Sequence, residues 1–221
     1  MISIKANSFR PIMVQIFLHF ILLCCLLMQN TCYGSVYLNV PFLKQQTPNT
    51  TVDGHWRNGF CGYTCAVMVG SYKRGLGTST QDLLDMLSYL GIPDASGYLS
   101  YSYKMVDALT NMPRYNLKVA TANNWTIDDI KNRVATGVPV IVGVNNNLGM
   151  GYGDHYLVVV GYDDNNIICN DPGTSSGDHK PYSNDVMNKS ISGDILVVTG
   201  TNDPPSDITY PGISWGGSPT V

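Results

Sequence analysis

Three residues of this chain have the types and placing for nucleophilic chemistry: a cysteine at a helix start, a histidine at a strand start, and an aspartate closing the next strand. The cysteine is Cys61, in the run Asn58-Gly59-Phe60-Cys61-Gly62-Tyr63-Thr64-Cys65-Ala66-Val67-Met68-Val69-Gly70. Asn58-Gly59 marks a turn, and the apolar run after it predicts a buried helix with no polar face. A thiol at a helix N-terminus lies beside unpaired backbone N–H groups and the positive end of the helix dipole, and both favour thiolate. A nucleophile needs that setting, and also a base, an orienting group and an oxyanion donor. Taken alone, this stretch is better read as two small core cysteines, Cys61 and Cys65.

The base is found at His155, which begins the most apolar strand, His-Tyr-Leu-Val-Val-Val-Gly-Tyr. After Asp163-Asp164-Asn165 the chain returns as Ile-Ile-Cys-Asn-Asp-Pro, ending at Pro172. A five-residue loop from Gly161 to Asn165 pairs Val160 with Asn166, and counting outward sets His155 opposite Asp171. Opposed residues have β-carbons about 4.5–5.5 Å apart, within reach of a carboxylate–imidazole hydrogen bond. A tight two-residue turn would instead put Asp171 opposite Val158 and break the pair. Alternation turns the neighbouring Asn170 to the other face. His55 and His179 lie in loops without such a partner and read as surface residues. No His or Cys pair shows metal-ligand spacing, so neither a metal nor another cofactor is expected.

These residues need elements to hold them. Val36 to Val40 predicts a short strand, and Phe42 to Gly59 a long irregular segment. Helices are predicted from Cys61, over Ser79–Leu90 with a Ser79/Asp82 capping box, over Leu99–Asn111 with Tyr101, Met105, Val106 and Leu109 inward, and over Thr126–Ala135. Strands are predicted at Tyr115–Thr121, Pro139–Val144, Tyr156–Val160, Ile167–Asn170 and Ile195–Val198. Helices first and strands afterwards imply an α+β fold, a helical half against a sheet half.

The 221 residues carry 13 cations and 16 acids, with no basic run or stripe of the kind that binds nucleic acid. Residues 1–34 have Lys5 and Arg10 before an apolar run from Ile12 to about Met28, then a polar end near Gly34. This pattern predicts a signal peptide and a secreted or periplasmic product. An uncleaved membrane anchor is the second reading. Removal of the signal peptide leaves Cys61, Cys65 and Cys169, an odd set in an oxidising compartment, so a retained free thiol needs a reason. Residues 35–200 then form the domain. Residues 201–221, rich in Pro, Gly and Ser, form a tail.

Five segments in order resemble the papain-like peptidases of the bacteriocin-processing type and their stand-alone relatives. They are Val40-Pro41-Phe42-Leu43-Lys44-Gln45, Cys61 to Met68, Gly137 to Val142, His155 to Tyr162, and Asn170-Asp171-Pro172. The resemblance implies a papain-like cysteine peptidase with Cys61 as nucleophile, His155 as general base and acid, and Asp171 orienting the imidazole. It also implies Gln45, with Gln46 as the adjacent alternative, as a side-chain oxyanion donor, and a peptide or protein as substrate. Tyr63 stands where that family commonly has proline, and Asp154 where a small residue usually precedes the histidine. No transporter segment follows in this sequence, so trimming of leader peptides during export is not implied.

Two other functions fit the same residues. One is an amidase or acyl transferase using the same triad on a non-peptide amide, to be told apart by the products released from defined substrates. The other is an exported binding protein whose thiol would be indifferent to iodoacetamide near pH 6.

Overall fold

A computed structural model describes residues 34–45, 59–92, 100–149 and 153–202. The chain divides into two compact units, Met1–Gly34 and Ser35–Val221. All of the predicted signal peptide except Gly34 lies outside the described residues, as do the long segment from Gln46 to Asn58 and the tail beyond Asn202.

The second unit begins with β1 (Val36–Tyr37), followed by α1 (Cys61–Arg74), α2 (Thr80–Tyr89) and α3 (Ser102–Asn111). β2 (Leu117–Ala122), α4 (Ile127–Ala135) and β3 (Val140–Val144) come next. The chain continues through β4 (His155–Tyr162), β5 (Asn166–Asn170), β6 (Lys180–Ser183), α5 (Asn184–Ser190) and β7 (Ile191–Thr201). Among the described residues seven strands form one antiparallel sheet in the order β2-β7-β3-β4-β5-β6, with β1 paired to the end of β4.

Side-chain periodicity explains the layering. α1 is buried from Cys61 to Ser71: the apolar run from Cys65 to Gly70 leaves it no polar face, and Thr64 and Ser71 are enclosed with it. It packs with α2 and α3 on the sheet face that carries Tyr156, Val158, Val160, Ile168 and Leu196. α2 has the expected capping box, Ser79 and Asp82 satisfying each other's backbone N–H, and Thr126 with Asp129 repeats it on α4. α4 packs on β4 and β3 from the other side of the sheet, burying Ile130 and Val134. With both faces covered, β4 is buried along its whole length, and a continuous apolar run results in place of alternation.

Several elements depart from the expectations. The inward stripe of α3 is Met105, Ala108 and Leu109, while Tyr101 is 44% exposed and Val106 only half-buried. β6 and α5 lie in a stretch whose Asp178, His179, Lys180 and Pro181 resemble loop chemistry. Pro181 is tolerated because β6 pairs with β5 alone and is the sheet's edge. β7 runs through Thr201, beyond the expected domain end, and Asn202 is clasped to Asn116 and Leu117.

The β4–β5 hairpin also differs from its expected register. The turn is tight: the Asp163 N–H donates to the Asn166 carbonyl at 3.0 Å, and Tyr162 pairs with Ile167. Continued unbroken, that register would set Asp171 opposite Val158. A bulge between Val159 and Gly161 inserts one residue on β4, after which Val159 pairs with Cys169 and Val158 with Asn170. Counting past this last pair brings Asp171 beside Leu157, one side-chain repeat from His155 and on the same face.

Gly161 adjoins the bulge because β1 crosses it closely, and a β-carbon there would meet the Val36 carbonyl oxygen. Gly161→Ala therefore forces β1 off β4. An overpacking cost of about 1–3 kcal/mol is expected, read as a lower urea midpoint without a changed slope.

Candidate active site

Cys61 is the first residue of α1, and Phe60 at the N-cap position has no side chain able to cap it. Ser100 fixes the approach to it. Its hydroxyl donates to the Gly59 carbonyl at 2.6 Å and accepts from the Gly62 N–H at 3.0 Å. Thr64 adds a hydroxyl donation to the Phe60 carbonyl at 2.8 Å. Cys61 is 6% exposed, whereas Cys65 and Cys169 are fully enclosed. Burial pushes both of the latter thiols up, Cys65 further under the influence of Cys61 and Cys169 under that of Asp171. Both are chemically quiet.

His155 opens β4 across from Val144. Its Nε2 lies 2.9 Å from Asp171 Oδ1. Cys61 lies near enough to the ring to help raise its proton affinity. Cys61, His155 and Asp171, distant in sequence, are thus neighbours, with the His155–Asp171 pair in hydrogen-bond contact.

Asp171 is fully buried and richly supplied with donors. Oδ1 accepts from the Gly173 N–H at 3.0 Å as well as facing the imidazole. Oδ2 accepts from the Tyr182 hydroxyl at 2.6 Å and from Lys180 Nζ at 3.4 Å. The Asp171 N–H donates to the Gly177 carbonyl at 2.8 Å. Burial alone would favour the uncharged form of both groups. For Asp171, the hydrogen bonds from His155 and Tyr182 outweigh it and hold the carboxyl down at about 2. For His155, those to Asp171 and Cys61 outweigh it and raise the imidazole to about 9.

Gln45 is buried, and its backbone N–H donates to the Pro172 carbonyl at 3.0 Å. The segment after β1 is thereby stitched to the residue following Asp171. Gln46 and His55 lie outside the described residues. Asn170 turns away from the imidazole, its amide donating to the Val40 carbonyl and its oxygen accepting from the His179 N–H, both at 3.0 Å. His179 is not the plain surface residue expected. It is half-buried, with Nδ1 2.6 Å from Asp178 and Nε2 3.2 Å from the Leu38 carbonyl oxygen. Tyr63 points into the core, its hydroxyl accepting from the Tyr101 N–H at 3.4 Å, while Asp154 is exposed beside His155.

Sequence reasoning missed Lys180 and Tyr182. Their spacing of two was the available signal, with Ser183 and Asp185 marking the start of α5 immediately afterwards. Among the described residues no group of three His, Cys, Asp or Glu side chains is placed to hold a metal ion.

A helix that starts at Cys61, packed on an antiparallel sheet that carries His155, defines a papain-like α+β protein. The sequence model of the Peptidase_C39 like family matches residues 37–192, and the chain belongs to that family of cysteine peptidases. Solved structures of similar fold include a protein from Bacillus anthracis described as a C39-like peptidase, at 19% identity and TM-score 0.55, covering 76% of this chain and 99% of that one. A double glycine motif protease from an AMS/PCAT transporter, solved in complex with the leader peptide, aligns at 19% identity and TM-score 0.51, over 76% of this chain and 98% of that one. The peptidase domain of Streptococcus ComA, a bifunctional ABC transporter, aligns at 16% identity and TM-score 0.50, over 75% and 98% of the two chains. No curated protein matches the chain.

Proposed function

We propose that the protein is an exported cysteine peptidase that hydrolyses peptide bonds with Cys61 as nucleophile, His155 as base and acid, and Asp171 as the orienting group. The single observation that carries this reading is the buried His155 ring, 2.9 Å from Asp171 and raised in proton affinity by Asp171 and by Cys61. Cys61 attacks the substrate carbonyl as thiolate while His155 holds the proton. The developing oxyanion is met by the Cys61 N–H at the open end of α1 and by the Gln45 side-chain amide, donors of a kind worth on the order of 10²–10³ each in rate. Collapse of the tetrahedral species breaks the C–N bond, and His155 delivers its proton to the leaving amine. The product is a thioester. Water, deprotonated by His155, then cleaves it to release the acid and restore the thiol.

Export rests on the N-terminal pattern: residues 1–34 are the signal peptide, with the peptidase domain following from residue 35 and a tail after Asn202. A peptide substrate is favoured because one structural neighbour holds a leader peptide.

The test is pH-dependent. Alkylation of Cys61 by iodoacetamide, mapped by peptide mass, should proceed near pH 6, where an isolated thiol hardly reacts. Amide cleavage should fall on the alkaline side with a midpoint near pH 9, as the raised imidazole loses its proton. Stability follows the same groups. The His155 contribution is full below about pH 6.5 and is lost as pH rises through about 9. The Asp171 contribution is full above about pH 4 and is lost as pH falls through about 2. A Cys61 that alkylates like a free thiol, with no limb near pH 9, would refute the assignment.

A further inference from the structure

We propose that Tyr182 is a positioning residue for the reaction: it fixes the rotation of Asp171 so that Oδ1, and not a freely turning carboxylate, faces His155. The inference rests on the assignment of Cys61, His155 and Asp171 as the catalytic groups.

A carboxylate has two equivalent oxygens, and rotation about its last torsion exchanges them or swings both out of line with a neighbouring imidazole. Donors on the distal oxygen remove that freedom. Here the donors come from the edge strand β6, whose Tyr182 pairs with Ile167 and whose Lys180 pairs with Cys169. Separated by two, these side chains emerge on one face, both toward Oδ2. The two are not equal. The Tyr182 hydroxyl is 2.6 Å from Oδ2 and its ring is 8% exposed, so it is a short charge-assisted bond in a dry place. Lys180 Nζ is 3.4 Å away on a side chain 28% exposed, and also sits 4.9 Å above the Tyr182 ring. Its charge favours an ionised Asp171, but it does not set the angle.

Gly173, whose N–H holds Oδ1, has no side chain and packs against the imidazole itself. A β-carbon there would lie 3.1 Å from His155 Cε1. The carboxylate is therefore held at Oδ1 by backbone and imidazole, and at Oδ2 by the phenol. Removal of the phenol leaves a fully buried oxygen with only the long lysine contact, and turning to recover a donor takes Oδ1 away from His155.

Tyr182→Phe removes one oxygen and no carbon, so ring packing is kept. Wild type, Tyr182→Phe and Lys180→Met are compared by kcat and KM on an amide substrate, by the pH profile of Cys61 alkylation, and by thermal melting. Tyr182→Phe is expected to melt as a folded protein, with kcat lowered about tenfold, the equivalent of one charge-assisted hydrogen bond. KM should stay unchanged, and the alkaline limb should move to lower pH as the imidazolium loses its aligned partner. Lys180→Met should lose less. An unmoved limb in Tyr182→Phe, or an equal loss in Lys180→Met, overturns the proposal while leaving the triad standing. A wild-type Cys61 without the paired pH profile overturns both.

Discussion

Cys61→Ala should leave a folded protein that no longer cleaves amides. Replacing a thiol by hydrogen at a residue 6% exposed costs the core little, about 1 kcal/mol. The chemical loss is complete in kind, because the covalent route disappears. In triad hydrolases that lose a member, substrate binding and the oxyanion site alone still give about 10³–10⁴ over water, so any residual rate should be of that order. Neither remaining thiol of the domain can substitute. Cys65 sits one helical turn deeper in α1 and Cys169 lies within β5, both with thiols pushed up by burial. His155 offers an independent reading of the same variant. Part of its raised proton affinity comes from Cys61, so the imidazole should titrate below its wild-type midpoint when followed by NMR. Wild-type turnover in Cys61→Ala would move the nucleophile elsewhere and overturn the mechanism.

The second large effect is expected at Asp171, and two substitutions there should differ. Asp171→Ala empties a buried site and takes away the acceptor that the Tyr182 hydroxyl, the Gly173 N–H and the Lys180 ammonium share, along with the partner of the imidazolium. Breaking one side of a buried charged network costs about 3–5 kcal/mol. A domain with about 5–15 kcal/mol in total would be left marginal. Asp171→Asn keeps the shape and loses the charge, so it should fold while His155 falls well below its raised value of about 9. Urea midpoints separate the two variants in stability, and the alkaline limb of kcat/KM should retreat in Asp171→Asn. If both variants fold and turn over like wild type, the carboxylate has no part in the reaction.

The sequence revealed the helices better than the hairpins. α1 was legible because a run with no polar residue from Ala66 to Gly70 has nowhere to go but the interior. α2 and α4 were legible because Ser79/Asp82 and Thr126/Asp129 announce their starts. α3 was legible as an element, but Tyr101 fits a 3.6-residue stripe and nevertheless stays at the surface. The route from His155 to Asp171 was misread. A five-residue loop was expected, and the structure has a tight turn plus a bulge at Val160. Bulges leave no mark in an apolar run, because Val159 and Val160 satisfy either register. β6 was hidden by Pro181 and by charged neighbours, and Tyr182 with it. Local pattern cannot show that a tyrosine on an edge strand finishes the solvation of an aspartate eleven residues earlier.

The extra residue in β4 also limits how this hairpin can change. A pleated ribbon has only two sides, so one inserted or deleted residue sends everything beyond it to the wrong side. A single indel within either strand between His155 and Asp171 would therefore turn the two residues to opposite sides, whereas a second one in the strands would reunite them. Homologous chains should vary in this hairpin at the turn and keep its strand segments, bulge included, in step.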